Sequence, residues 1–307
     1  MSTTSPNVRR TTPLAVEREG VRLAGSLWEP DGLPRAVVLM HPGSGPSDRD
    51  NDVYFPPIRE HLLQRGVAVC SFDKRGVGES TGTWLTAGIG DQAADASACL
   101  DHIGGRLPDL PLGLFGHSQG GWVVVEAAAS RGDLSFVVAN SGPGVTPAVQ
   151  ERHATIIGLA QRARDPQEFS EAVRCFDLAL ACISSGVEFE AGARIIRAAG
   201  LAECYERTDL FSFPIDDPDL WRFAALIVDH DPRPALRRLR APTLAIFGAD
   251  DPVVPVHASV AVYGACVLPE LLTVEVLEPA DHRLEHDSRL HAGYFTSLDQ
   301  FIDHALR

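Results

Sequence analysis

Short runs of apolar, often β-branched residues recur along this chain. They alternate with stretches in which apolar positions return every three or four residues. The first kind predicts strands and the second helices. Residues 35–40 and 67–72 (RAVVLM and VAVCSF) are continuous apolar runs, as expected of strands covered on both faces. Between them Ile58, Leu62 and Leu63 keep helical spacing, and Gly66 supplies a stop. The spacing then predicts a helix over 91–104, a strand over 112–116, a helix over 119–131 and a strand over 135–140. Upstream, residues 21–30 alternate in the manner of a half-exposed antiparallel strand.

The rhythm changes after Pro143. From 146 to 232 helical patterns dominate and no strand is predicted; strands return at 243–248 and 272–278, with helices near 256–267 and 294–306. This is the pattern of an α/β fold with a mainly parallel sheet and helices on both faces, interrupted by a helical insertion. The expected organisation is a loose polar N-terminal tail over 1–14, a core over 15–145, the insertion over 146–232 and the rest of the core over 233–307. No fixed-period repeat interrupts this reading.

Composition narrows the choice of partner. The 307 residues are 45% hydrophobic, enough for a sizeable core, and 27 Lys and Arg stand against 41 Asp and Glu, a formal net charge of -14. A surface that acidic repels phosphate backbones and anionic headgroups, so no nucleic-acid or membrane partner is expected. The six cysteines form no C-x-x-C pair and no zinc-finger spacing with histidine. They read as small buried hydrophobes of a cytoplasmic protein, and no metal or cofactor is expected. Arg9-Arg10 hints at a twin-arginine export signal, but the residues after it lack the apolar stretch such a signal needs.

Chemistry concentrates at residues 112–122 (LGLFGHSQGGW), where Gly116-His117-Ser118-Gln119-Gly120 fits G-x-S-x-G between a predicted strand and a predicted helix. A serine lifted above a sheet needs such a strained turn, with glycines where the neighbouring strand and helix pass close. At the helix start, the Gln119 N–H can face a developing oxyanion. Because a serine hydroxyl is a weak nucleophile, a histidine base and an orienting acid should follow at later strand ends, the acid first. The turn after 243–248 carries Asp250 and Asp251, and Asp251 is favoured. His282 follows the next strand, while His286 and His291 lie further along.

With these motifs in this order, the chain resembles the α/β-hydrolases. It is similar to the bacterial esterase and serine-aminopeptidase-like group related to dienelactone hydrolases, over residues 15–145 and 232–307. Residues 41–50 (HPGSGPSDRD) and 72–80 (FDKRGVGES) match two further loops of that group. The resemblance implies that the first loop gives the second oxyanion donor, Ser44, with Gly45 as its neighbour. It implies a structural role for Asp73, Arg75 and Gly76, and a variable lid at 146–232.

The expected activity is a cofactor-free serine hydrolase acting on a carboxylic ester of small to medium size through Ser118, His282 and Asp251. Thioester or amide cleavage, acyl transfer, and a non-catalytic binding module are the alternatives. Trp221 and Phe176 are candidates for the substrate pocket, set against a plain role in the core of the insertion. Arg49 is a candidate anion clamp, set against a local salt bridge. Asp229-His230-Asp231 and His282/His286/Asp287 lack a recognised metal spacing. The insertion offers a homodimer face as readily as a pocket wall.

Overall fold

A computed structural model describes residues 10–211, 213 and 215–307. Eight strands form its main sheet: β1 (Thr11–Arg18), β2 (Val21–Trp28), β3 (Ala36–His41), β4 (Val67–Phe72), β5 (Leu112–His117), β6 (Leu134–Asn140), β7 (Thr243–Gly248) and β8 (Leu272–Leu277). Their order is β1-β2-β4-β3-β5-β6-β7-β8. The pairings of β1 with β2 and of β2 with β4 are antiparallel, and all the later ones are parallel. The strands β3, β4, β5 and β7 are buried along their whole length, as continuous apolar runs require.

Crossover helices cover both faces: α1 (Phe55–Gln64), α2 (Ile89–Arg106) and α3 (Gln119–Ala129) in the first part of the chain, α10 (Val256–Cys266) and α11 (Ala292–Ala305) in the last. One apolar layer packs α2, α3 and α10 on the sheet. The other packs Phe55, Ile58 and Leu62 of α1 with Leu298, Phe301 and Ile302 of α11.

Between β6 and β7 the chain runs through α4 (Pro147–Arg162), α5 (Pro166–Ser184), α6 (Phe189–Ala198), α7 (Ala202–Glu206), α8 (Pro218–Ile227) and α9 (Arg233–Leu236). Asp165 and Asp217 cap α5 and α8 by accepting from backbone N–H groups, and Pro follows each cap. These helices build a third apolar core of their own. Helix α8 belongs to two cores. Trp221 and Ala224 face the insertion's interior, whereas Phe223 and Ile227 join the layer on the sheet.

Two expectations need correcting. The polar tail predicted over 1–14 lies outside the described residues as far as residue 9, but Thr11–Leu14 belong to β1. Leu14 and Val16 turn inward at period two while the residues between them face out, the mark of an edge strand zipped to β2. Trp221 and Phe176 are not pocket residues. The Trp221 indole N–H donates to the Val187 carbonyl at 2.9 Å with its ring against Gly192, and Phe176 stacks on Phe211 with centroids 5.8 Å apart. Each lies deep in the insertion's own core.

Phe176→Ala should cost about 3–5 kcal/mol by opening a cavity there. Denaturant titration of the two proteins checks this; a loss below about 1 kcal/mol would mean the insertion core can collapse around the deletion.

Candidate active site

The turn from β5 into α3 holds Ser118 at φ 55° and ψ -122°, a strained conformation for a side chain with a Cβ. Two things hold it there. The Ser118 N–H donates to the Asn140 carbonyl on β6 at 2.9 Å. Gly116 passes so close to Gly120 that a Cβ on Gly116 would sit 2.0 Å from the Gly120 carbonyl oxygen. The hydroxyl is lifted onto the start of α3, where backbone N–H groups have no carbonyl one turn back.

From that hydroxyl a hydrogen-bond chain runs inward. His282 Nε2 lies 2.9 Å from Ser118 Oγ, and His282 Nδ1 lies 2.8 Å from Asp251 Oδ2. Asp251 is fixed on its other side, where Oδ1 accepts from the N–H groups of Val253 at 2.7 Å and Val254 at 2.9 Å. An acceptor at Nδ1 puts the ring proton there and leaves Nε2 free to accept from the serine. Gly248 allows this meeting, since a Cβ there would collide with the Asp281 and Ala280 carbonyls of the loop that carries His282. Asp250 instead is exposed, and its N–H donates to the Ala280 carbonyl at 2.9 Å. His286 is exposed, and His291 caps α11 by accepting from the Gly293 N–H.

The loop after β3 passes beside the serine. The Gly43 N–H is occupied by Asn51 Oδ1 at 3.1 Å, which leaves Ser44 and Gly45 as the loop's candidate donors. Asn51 also donates from Nδ2 to His117 Nδ1 at 2.9 Å, and the His117 ring lies 5.2 Å from that of His282. Burial, then the neighbouring His282, hold His117 well below the usual histidine range, so it is a neutral spacer.

Lys74 lies beneath the same loop, a role that sequence reasoning missed. Its ammonium donates to the Gly43 carbonyl, to Gln119 Oε1 at 2.9 Å and, more weakly, to the Gly45 carbonyl at 3.4 Å. It ties together the two segments that flank Ser118. Desolvation in this pocket lowers its pKa to about 7. The available signal was a lysine two residues past a strand buried along its whole length.

Ser44, Gly45 and Gln119 open onto a cavity of about 330 Å³ between the sheet and the insertion. Its walls are largely apolar: Trp84 and Trp122 from the core, and Leu180, Phe213, Leu220 and Phe223 from the insertion. Gln150 and Glu151 of α4 are the polar exceptions, and these too went unrecognised in the sequence. Their signal was position, since the spacing of Pro147, Gln150 and Ala154 puts Gln150 on the buried face of α4 with Glu151 beside it.

Other candidates fall elsewhere. Arg49 forms a forked pair with Asp73, Nε to Oδ1 at 3.0 Å and a terminal nitrogen to Oδ2 at 2.6 Å, so it braces the two loops instead of facing the cavity. Arg75 pairs in the same way with Asp95. Asp229 accepts from Ser184 and Asp231 pairs with Arg233, while the His230 ring packs against Trp122. Among the described residues no group of three or more His, Cys, Asp or Glu is arranged to hold a metal ion. None of the described helices is long and apolar enough to cross a membrane.

Residues 33–166 match a family model described as serine aminopeptidase, S33. The rat monoglyceride lipase is 27% identical over 122 residues, which cover 39% of this chain and 38% of that protein. This chain therefore matches about two fifths of that relative's length. A rat mitochondrial palmitoyl-protein thioesterase, ABHD10, is 23% identical over 246 residues, covering 80% of this chain and 69% of that one. Among solved structures, an esterase of Pyrococcus furiosus superimposes with a TM-score of 0.65 over 100% of this chain and 97% of its own, at 17% identity. That likeness is one of fold.

Lys74→Met gives a stability test of the buried amine. Between about pH 7 and the ordinary lysine value of 10.5, the unfolded chain keeps a proton that native Lys74 has released. Native stability from this group therefore rises with pH across that window. Relative to Lys74→Met, the wild type should gain stability between pH 7 and 9.5, as read by denaturant midpoints. A constant difference would mean Lys74 stays charged.

Proposed function

We propose that this chain, which has the α/β-hydrolase fold, is a serine hydrolase cleaving a carboxylic ester of a small to medium-sized organic substrate. The single observation that supports this most is the continuous relay Asp251–His282–Ser118, at 2.8 and 2.9 Å, ending on a serine at positive φ.

In this reading His282 Nε2 takes the Ser118 proton while Oγ bonds to the carbonyl carbon and the carbonyl π pair moves onto its oxygen. The N–H groups of Gln119 and of Ser44 or Gly45 stabilise that oxyanion. Asp251, held by two backbone N–H groups, keeps the ring proton on Nδ1 and stabilises the imidazolium. As the tetrahedral adduct collapses, the alkoxide leaves with the proton from His282. Water then gives a proton to His282 and attacks the acyl-enzyme. The acid is released and Ser118 Oγ recovers its proton. Lys74 and Asn51 hold the oxyanion loop in register without touching the reacting atoms. Helices α4–α8 act as the cap over the acyl or alcohol part.

Thioester cleavage is the second reading, supported by the relative with the broader coverage, which is named a palmitoyl-protein thioesterase. The same relay serves both leaving groups, and a matched panel of oxygen esters and thioesters separates them.

Ser118→Ala should lower turnover of p-nitrophenyl esters by roughly four orders of magnitude or more and abolish labelling by a fluorophosphonate probe. Turnover near the wild-type level would remove the mechanism. Asp251→Asn should cost far more than Asp250→Asn, measured as kcat/KM on the same ester; the reverse order would reassign the acid.

A further inference from the structure

Among the described residues the fully buried carboxylates are paired with bases. Asp73 meets Arg49, Asp95 meets Arg75, Glu168 meets Arg164 and Arg207, and Asp251 meets His282. Glu151, half-buried in the wall of the apolar cavity, differs from them: among its described contacts it has only the amide of Gln150, whose Nε2 donates to Oε1 at 3.0 Å. Burial pushes its carboxyl up to about 7, against the smaller opposing effects of the Gln150 amide and of His282 nearby. An acid drawn partly out of water without a basic partner carries a desolvation cost, and an apolar side chain at this position of α4 would pack with less. The cavity that Glu151 faces is also the one onto which Ser44, Gly45 and Gln119 open. The bond from Gln150 fixes one carboxyl oxygen and leaves the other to whatever fills the cavity.

We propose that Glu151, braced by Gln150, is the recognition point for a hydroxyl group carried on an otherwise apolar ester substrate. A hydroxyl both donates and accepts, so it pairs with this carboxyl whether or not the proton is on it. An ammonium would require the ionised form and would oppose the imidazolium that His282 becomes during the reaction. The surrounding aromatic and aliphatic walls select the apolar body, and one buried polar contact rejects analogues that leave it unsatisfied. This assignment rests on the ester-hydrolase reading above.

The test compares p-nitrophenyl hexanoate with its ω-hydroxy and ω-ammonio analogues, and hexyl acetate with the monoacetate of hexanediol, so that either side of the ester can occupy the cavity. Wild type should prefer the hydroxylated member of at least one series by about tenfold in kcat/KM. Glu151→Leu should erase that preference, and Glu151→Gln should keep part of it. Glu151→Leu should also melt no lower than wild type. Binding of the same esters to Ser118→Ala, followed by calorimetry with and without Glu151→Leu, reads the contact without turnover. Equal ratios in wild type and Glu151→Leu, a preference for the ammonium analogue, or a large loss of stability in Glu151→Leu would each overturn the proposal. Turnover without discrimination would sink this inference alone. Discrimination in binding with no turnover of any ester would sink the hydrolase reading and leave the recognition site standing.

Discussion

Ser118 stands above the edge of the sheet because the chain turns from β5 into α3 through a conformation that side-chain-bearing residues rarely occupy. That turn closes only because Gly116 and Gly120 pass at backbone contact. Strain of this kind costs about 1–3 kcal/mol and persists only where the surroundings over-determine it. Here the neighbouring strand supplies the restraint, through the bond from the Ser118 N–H to Asn140, and the packed helix α3 supplies the rest. The register of β5 against β6 therefore sets where the hydroxyl sits. The bases and acids at the ends of β7 and β8 have a fixed point to meet.

Around that point the protein arranges its polar groups in two different ways. In the relay from Asp251 to Ser118 the His282 ring keeps some exposure while the Asp251 carboxylate is closed off from solvent. Beneath it His41, His117 and Lys74 are desolvated. Burial lowers the His41 pKa to about 3 and shifts His117 in the same direction. Neutral imidazoles at those two positions carry no charge next to the His282 ring, and the hydrogen bonds of Asn51 and Lys74 hold the loop in register.

Much of this was legible in the chain itself. Ser118, Asp251 and His282 each lie in the segment just past a short apolar run, and parallel strands bring such ends to one edge of the sheet. Strand β1 escaped notice because Thr11, Thr12 and Pro13 carry no strong strand signal; it exists through its pairing with β2. The aromatic residues of the insertion show the same limit in another form. On α8, Trp221 and Phe223 are two residues apart and face different cores. Which face of a helix sees the cavity depends on how several helices dock, and that is not written in any one of them. Lys74 was hidden for a related reason, since the three oxygens it binds come from Gly43, Gly45 and Gln119, each at least 29 residues away from it in sequence.

The third apolar core, closed within α4 to α8, separates two kinds of heritable change. Substitutions inside it can reshape the cavity wall through Leu180 and Phe213 while the β5–α3 turn and the ends of β7 and β8 keep their packing. Helix α8, shared between cores by Trp221 on one side and Phe223 on the other, is the one wall element whose drift is felt by the sheet. A lineage carrying this architecture can exchange one diet for another by altering its roof, with the hearth beneath left alight.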